Sequence, residues 1–142
     1  MRIMCLDVGS VRVGIAMSDP MQIIASPLEV LKRTNSINND AKYVANLIKT
    51  HEVGLVVVGL PLKLDGTESA STLMAREFAE KLSKFTTVPI EFQDERLSTV
   101  SAQRILLEGN VRRDKRKGVV DKLAANIILQ NYLDKLSNKN KI

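Results

Sequence analysis

The sequence predicts one α/β domain: a five-stranded mixed sheet, its first three strands antiparallel, flanked by helices. Three observations predict it. The N-terminal third holds apolar runs joined by tight turns, as in successive hairpins. From residue 37 onward, segments of helical period alternate with short apolar runs, which calls for crossover connections. Leu55-Val56-Val57-Val58-Gly59 is apolar on both faces, as in a parallel strand covered on two sides. With 142 residues the chain suffices for one domain with a real core and is short for two.

Residues 2–8 read as the first strand and 12–18 as the second, with Gly9 and Gly14 marking a tight turn between them. Asp19-Pro20 is a turn. Residues 23–32 read as an irregular third strand, and Pro27 argues for a sheet edge. Asn35-Ser36 caps a helix over 37–51, with Ile37, Val44, Leu47 and Ile48 on its apolar side. The apolar run 55–59 is the fourth strand. A loop from Pro61 to Gly66 leads to a helix over 67–84. Residues 88–92 form the fifth strand, where Pro89 again suggests an edge. Ser98 caps a helix to about Glu108, stopped by Gly109. A basic loop follows, then a last helix over 119–136. The domain is expected to span 1–137, with 138–142 a frayed tail.

Composition narrows the function classes. Aromatics make up 4% with no Trp, which argues against a stacking platform for single-stranded bases. The net charge of +5 leans toward an anionic partner. Cys5 is the only cysteine, so an internal disulfide and Cys-based zinc sites are excluded. His51, the only histidine, reads as a helix C-terminal residue meeting the dipole. No signal peptide is apparent at the start, and no apolar stretch approaches the ~20 residues that span a bilayer. A soluble, cytoplasmic protein with no membrane partner is expected.

Three places could carry chemistry. Asp7 interrupts the apolar run Ile3-Met4-Cys5-Leu6-Asp7-Val8, and a charge inside a buried strand is costly unless something pairs with it. Gln93-Asp94-Glu95-Arg96-Leu97-Ser98 follows the fifth strand, where open α/β sheets put their sites; the other reading is a helix-capping segment. Asp121 stacks at helical spacing with Ala124, Ala125, Ile128 and Tyr132, so it points inward. Its plainer role is electrostatic service to the first helical turn. Carboxylates converging without His or Cys suit hard cations, magnesium or manganese. Arg104, Arg112, Arg113, Lys115, Arg116, Lys117 and Lys122 crowd the stretch around and before Asp121. They read either as a solvated loop or as neutralisers of nucleic-acid phosphates.

Four blocks are familiar together: Leu6-Asp7-Val8-Gly9 with Arg12-Val13-Gly14 and Ser18-Asp19; Val57-Val58-Gly59-Leu60-Pro61 with Asp65-Gly66-Thr67; Asp94-Glu95-Arg96-Leu97-Ser98-Thr99; and Val120-Asp121-Lys122-Leu123-Ala124-Ala125. In this order they resemble the YqgF family, RuvX-like bacterial proteins with a ribonuclease-H-like fold. The resemblance covers nearly the whole chain. It implies that the metal-binding, catalytic acids are Asp7, Glu95 and Asp121, and that the protein processes the 5′ end of precursor 16S ribosomal RNA. An older assignment, by similarity to RuvC, is resolution of Holliday junctions. RuvC-type resolvases carry an acid on the fourth strand, where this chain has Val58-Gly59-Leu60; Glu95 then has to fill that place from the next strand.

The expected mechanism is hydrolysis of a phosphodiester by two magnesium (or manganese) ions about 3.5–4 Å apart that bridge the scissile phosphate. Asp7 is the expected shared ligand. Ser10 with Gly9, Arg96, Arg112, Arg113, Arg116 and Lys117 are the expected substrate contacts. The expected partner is nucleic acid, precursor rRNA or branched DNA. The chain acts as a monomer or a homodimer, and symmetric junction cutting demands the latter. Two rival readings stand beside this one. Asp-Val-Gly also resembles the phosphate loop of actin-like and sugar-kinase ATPases, but those need a second domain that 142 residues do not supply. A non-catalytic nucleic-acid-binding module needs only the basic stretch.

Overall fold

A computed structural model describes residues 1–63, 65–95 and 113–140, with the backbone alone for 113–122 and 139–140. The strands are β1 (Arg2–Val8), β2 (Arg12–Ser18), β3 (Ala25–Lys32), β4 (Val53–Leu60) and β5 (Ile90–Asp94). The helices are α1 (Ile37–Thr50), α2 (Ala70–Ser83) and α3 (Arg113–Asn140). The five strands form one sheet in the order β3-β2-β1-β4-β5. β1 pairs antiparallel with β2, and β2 with β3; β4 lies parallel to both β1 and β5. The expected mixed sheet is therefore present. Pro27 and Pro89 sit at its two edges, where a missing backbone donor costs nothing.

Each face of the sheet carries its own core. Met4, Leu6, Val8, Val13, Ile15, Val56 and Val58 pack against α1 and α2 through Val44, Ile48, Phe78 and Leu82. Ile3, Cys5, Ala16, Leu55 and Val57 pack against α3 through Ala124, Ala125, Ile128, Leu129 and Leu133. Strand alternation assigns Asp7 and Gly59 to the α3 face, since they follow Cys5 and Val57 by two residues. The small Ala124 and Ala125 let α3 approach the sheet closely.

Several boundaries differ from the sequence reading, each for a local reason. The third strand starts at Ala25 rather than 23, because the Asp19 carboxylate takes the backbone N–H groups of Met21, Ile23 and Ile24 into a loop. Its irregularity is real: the β2–β3 register shifts between Ile15 and Ala16. β4 runs from Val53 to Leu60, three residues longer than read. α2 starts at Ala70 rather than 67. Asp65 holds Thr67 in a turn, and Ser69 caps the helix reciprocally with Thr72. The fifth strand is shifted two residues, to Ile90–Asp94, so Gln93 and Asp94 lie inside it. α3 begins at Arg113, so the stretch expected as a basic loop is helix from that residue on. Arg and Lys are good helix formers, and Gly118 inside a helix costs only about 1 kcal/mol. α3 also continues to Asn140. The helix expected over 98–108 lies outside the described residues.

Candidate active site

The site is built at the ends of the two central parallel strands. β1 and β4 pair with Leu6 opposite Val58, and the next residue on each strand is Asp7 and Gly59. β4 and β5 pair with Gly59 opposite Gln93 and Leu60 opposite Asp94. Glu95 is the first residue past β5, and its backbone N–H donates to the Leu60 carbonyl at 3.2 Å. Its side chain folds back over β4. A Cβ added at Gly59 would stand 3.0 Å from Glu95 Oε2 and 3.2 Å from its Cδ. The carboxylate thus occupies the room that any larger residue at position 59 would fill. Glu95 is 4% exposed and Asp7 6%, so both acids are buried in a largely apolar wall.

Cys5 reports on the same cluster. Burial pushes its thiol well above the usual range, and the negative charges of Asp7 and Glu95 push it further. One buried thiol therefore feels both carboxylates. Its own role is that of a small core residue.

The β1–β2 turn beside Asp7 is braced from behind. Gly9 N–H donates to the Arg12 carbonyl at 2.8 Å, and a Cβ on Gly9 would lie 2.8 Å from that same oxygen, so the turn demands glycine. Arg33 donates from its guanidinium to the Gly9 carbonyl at 3.0 Å. That guanidinium also lies 3.6 Å from Asp40 and sits over the Phe78 ring at 5.5 Å. Asp40, 1% exposed, in turn accepts from the Thr34 amide and hydroxyl. The sequence reading missed this brace. An acid at an inward position of α1, three residues past Ile37, was its only signal.

The remaining expected residues fall as follows. Asp121 is on the α3 backbone one turn before Ala124 and Ala125, which face the sheet; its side chain lies outside the described residues. Ser10 is exposed at the tip of the β1–β2 turn. Arg113, Arg116 and Lys117 belong to the first turns of α3, their side chains undescribed, and Arg96 and Arg112 lie outside the described residues. Among the described residues, no three His, Cys, Asp or Glu side chains come together as a metal-binding group. Asp7 and Glu95 supply two acids, and the third expected acid is the undescribed one. No helix of the described residues is long and apolar enough to cross a membrane.

Residues 1–135 match the family described as RuvX, Holliday junction resolvase. The chain belongs to the RuvX family. Among its relatives, a protein of Streptococcus thermophilus (strain ATCC BAA-491 / LMD-9) named "Putative pre-16S rRNA nuclease" is 44% identical over 142 residues, covering 96% of this chain and 99% of that one. One of the same name from Thermoanaerobacter pseudethanolicus is 45% identical over 140 residues, covering 98% and 100%. The fold is that of RuvC. The Thermus thermophilus RuvC structure in complex with a Holliday junction substrate superposes with a TM-score of 0.59 at 14% identity, covering 97% of this chain and 96% of the other. The expected ribonuclease-H-like sheet is thus borne out both by topology and by this likeness.

Proposed function

We propose that this RuvX-family protein is a nuclease that hydrolyses phosphodiester bonds at the 5′ side of precursor 16S rRNA, using a divalent cation held by Asp7, Glu95 and Asp121. The observation that carries the reading is the Glu95 carboxylate folded over Gly59, on the same face of the sheet as Asp7. Two buried carboxylates close enough to act on one thiol repel each other, and a hard cation relieves that repulsion. The donor set is all oxygen, which fits magnesium or manganese. When bound, the cation supplies an activated water and stabilises the departing oxygen.

The protein's own part is positional. Asp7 is fixed by a central strand paired on both sides. Glu95 is set by the hydrogen bond of its backbone to Leu60 and by the missing side chain at Gly59. Ser10 is exposed at the turn tip two residues beyond Val8, and it would offer its backbone N–H to a substrate phosphate, while the Gly9 N–H is already taken by the Arg12 carbonyl. The apolar walls from Cys5, Val57 and Ile128 keep water away from the inner side of the acids.

The test is a cleavage assay in magnesium offering precursor rRNA, single-stranded RNA and four-way DNA side by side, with Asp7→Asn as the partner variant. Cutting of precursor rRNA on its 5′ side is expected, abolished by chelation. Asp7→Asn should still bind and no longer cut. Cleavage by Asp7→Asn at the wild-type rate, or cleavage unaffected by EDTA, contradicts the reading. Preferential cutting of four-way DNA replaces the RNA substrate with the junction.

A further inference from the structure

Arg12 and Lys32 are direct cross-strand partners at the end of the sheet that carries Asp7. Like charges directly opposite on neighbouring strands destabilise a sheet. Among the described residues neither side chain joins an ion pair: the pairs there are Arg33–Asp40 and Arg76–Glu68. Among the described residues neither side chain donates a hydrogen bond to its surroundings; Lys32 is exposed and Arg12 half-buried. Two uncompensated cations thus stand where an opposite-charge pair would hold the sheet better.

Their face is also fixed. Arg12 alternates with Gly14 and Ala16, and Ala16 packs in the α3-side core. Lys32, opposite Arg12, shares that face, while Leu31, opposite Val13, packs in the other core. Asp7 lies on the α3 face, paired with Gly14. Arg12 is therefore one strand across from Asp7 and two residues further out, a Cα offset of about 8 Å from strand spacing and rise. Long side chains at that offset reach a phosphate adjoining one held at the acids.

We infer that Arg12 and Lys32 form a phosphate-binding pair that seats the nucleic-acid strand beside the acids, on the β2–β3 side of the site. This rests on the nuclease reading and adds a substrate contact to it. Arg12 and Lys32 lie on β2 and β3, whereas Arg113, Arg116 and Lys117 belong to α3.

The experiment measures binding of a short fluorescein-labelled single-stranded RNA over a potassium chloride series, in an Asp7→Asn background so that nothing is cut. Each lost phosphate contact lowers the slope of log affinity against log salt by about 0.7 for a single strand, so Arg12→Ala with Lys32→Ala should flatten it by about 1.4. Arg12→Lys should keep the slope. Lys32→Glu separates folding from binding: it creates an opposite-charge cross-strand pair, so its Tm should rise while RNA affinity falls. Slopes unchanged by the double alanine variant, with RNA still bound, overturn the pair and leave the nuclease reading standing. A parent protein that binds no RNA at any salt overturns both.

Discussion

Replacing Gly59 by alanine adds a single methyl at the point where Glu95 lies on the sheet. That Cβ would meet Ile128 Cδ1 at 2.8 Å, Glu95 Oε2 at 3.0 Å and Glu95 Cδ at 3.2 Å. Ordinary contacts begin near 3.4 Å, so the carboxylate oxygen must retreat by 3.4 − 3.0 = 0.4 Å or more. Ile128 Cδ1 is the end of a flexible side chain and yields at low cost. Overpacking then sits near the bottom of the usual range, about 1 kcal/mol. Gly59 is not among the positive-φ residues, so alanine fits the backbone and recovers about 0.4–1 kcal/mol by restricting the unfolded chain. Stability should therefore change by no more than about 1 kcal/mol, a Tm shift of a few degrees. Activity should suffer far more, because displacing a catalytic group by up to 1 Å costs on the order of 10²-fold.

The assay pairs thermal melting with magnesium-dependent cleavage for Gly59→Ala, Ile128→Val and the double variant. Ile128→Val removes the clashing Cδ1, so the double variant should regain the Tm and stay slow, about 10- to 100-fold below the parent. Parental cleavage by Gly59→Ala would show that the position of Glu95 over β4 does not matter. Restored cleavage in the double variant would assign the loss to packing against α3 and not to the acid.

Three further outcomes follow from the same structure. Asp40→Ala removes the acceptor for the Thr34 amide and hydroxyl and the partner of Arg33; it should cost about 2–4 kcal/mol, on the order of 10 °C in Tm by differential scanning calorimetry. An unchanged Tm would remove the brace behind the Gly9 turn from the account. Cys5 is fully buried with its thiol pushed up, so native protein at pH 8 should resist a thiol reagent that labels it at once in urea; ready labelling of the native state would contradict the packing of that core. Replacing Arg112, Arg113, Arg116 and Lys117 by alanine should weaken nucleic-acid binding and flatten its salt dependence by about 0.7 per lost contact, and an unaltered slope would take phosphate binding away from these residues.

Much of the fold was legible because strong local signals and tertiary demand agree. The run over 55–59 has no polar face, and β4 proves to be flanked by parallel strands with helices on both sides. Pro27 and Pro89 announced edge strands because an inner strand needs the N–H they lack. The limits of elements were less legible, since side chains set them through contacts that no periodicity encodes. Asp19 holds Ile23 and Ile24 off the sheet, and Asp65 with Ser69 delays α2. The charge run ending in Gly118 read as a loop because charge and glycine mark loops on average, yet its Arg and Lys residues are good helix formers. At the site, Asp7 stood out as a carboxylate in an apolar strand. Between Asp94 and Glu95 the residues alone did not choose. The choice depends on β5 ending at Asp94: Glu95, the next residue, keeps its backbone bond to Leu60 while its side chain turns back over Gly59. The Asp40–Arg33–Gly9 chain left no trace but the inward acid of α1, since it joins three segments that only the folded sheet brings together.

The acids of β1, the end of β5 and α3 are proposed to hold one divalent centre. Anomalous diffraction from crystals soaked in manganese tests it most directly. Density is expected on the α3 face beside Gly59, within ~2.0–2.2 Å of oxygens from Asp7, Glu95 and Asp121, the distances carboxylates make to small divalent ions. Manganese bound elsewhere, or an Asp121 carboxylate turned away from a metal that Asp7 and Glu95 do hold, would contradict it.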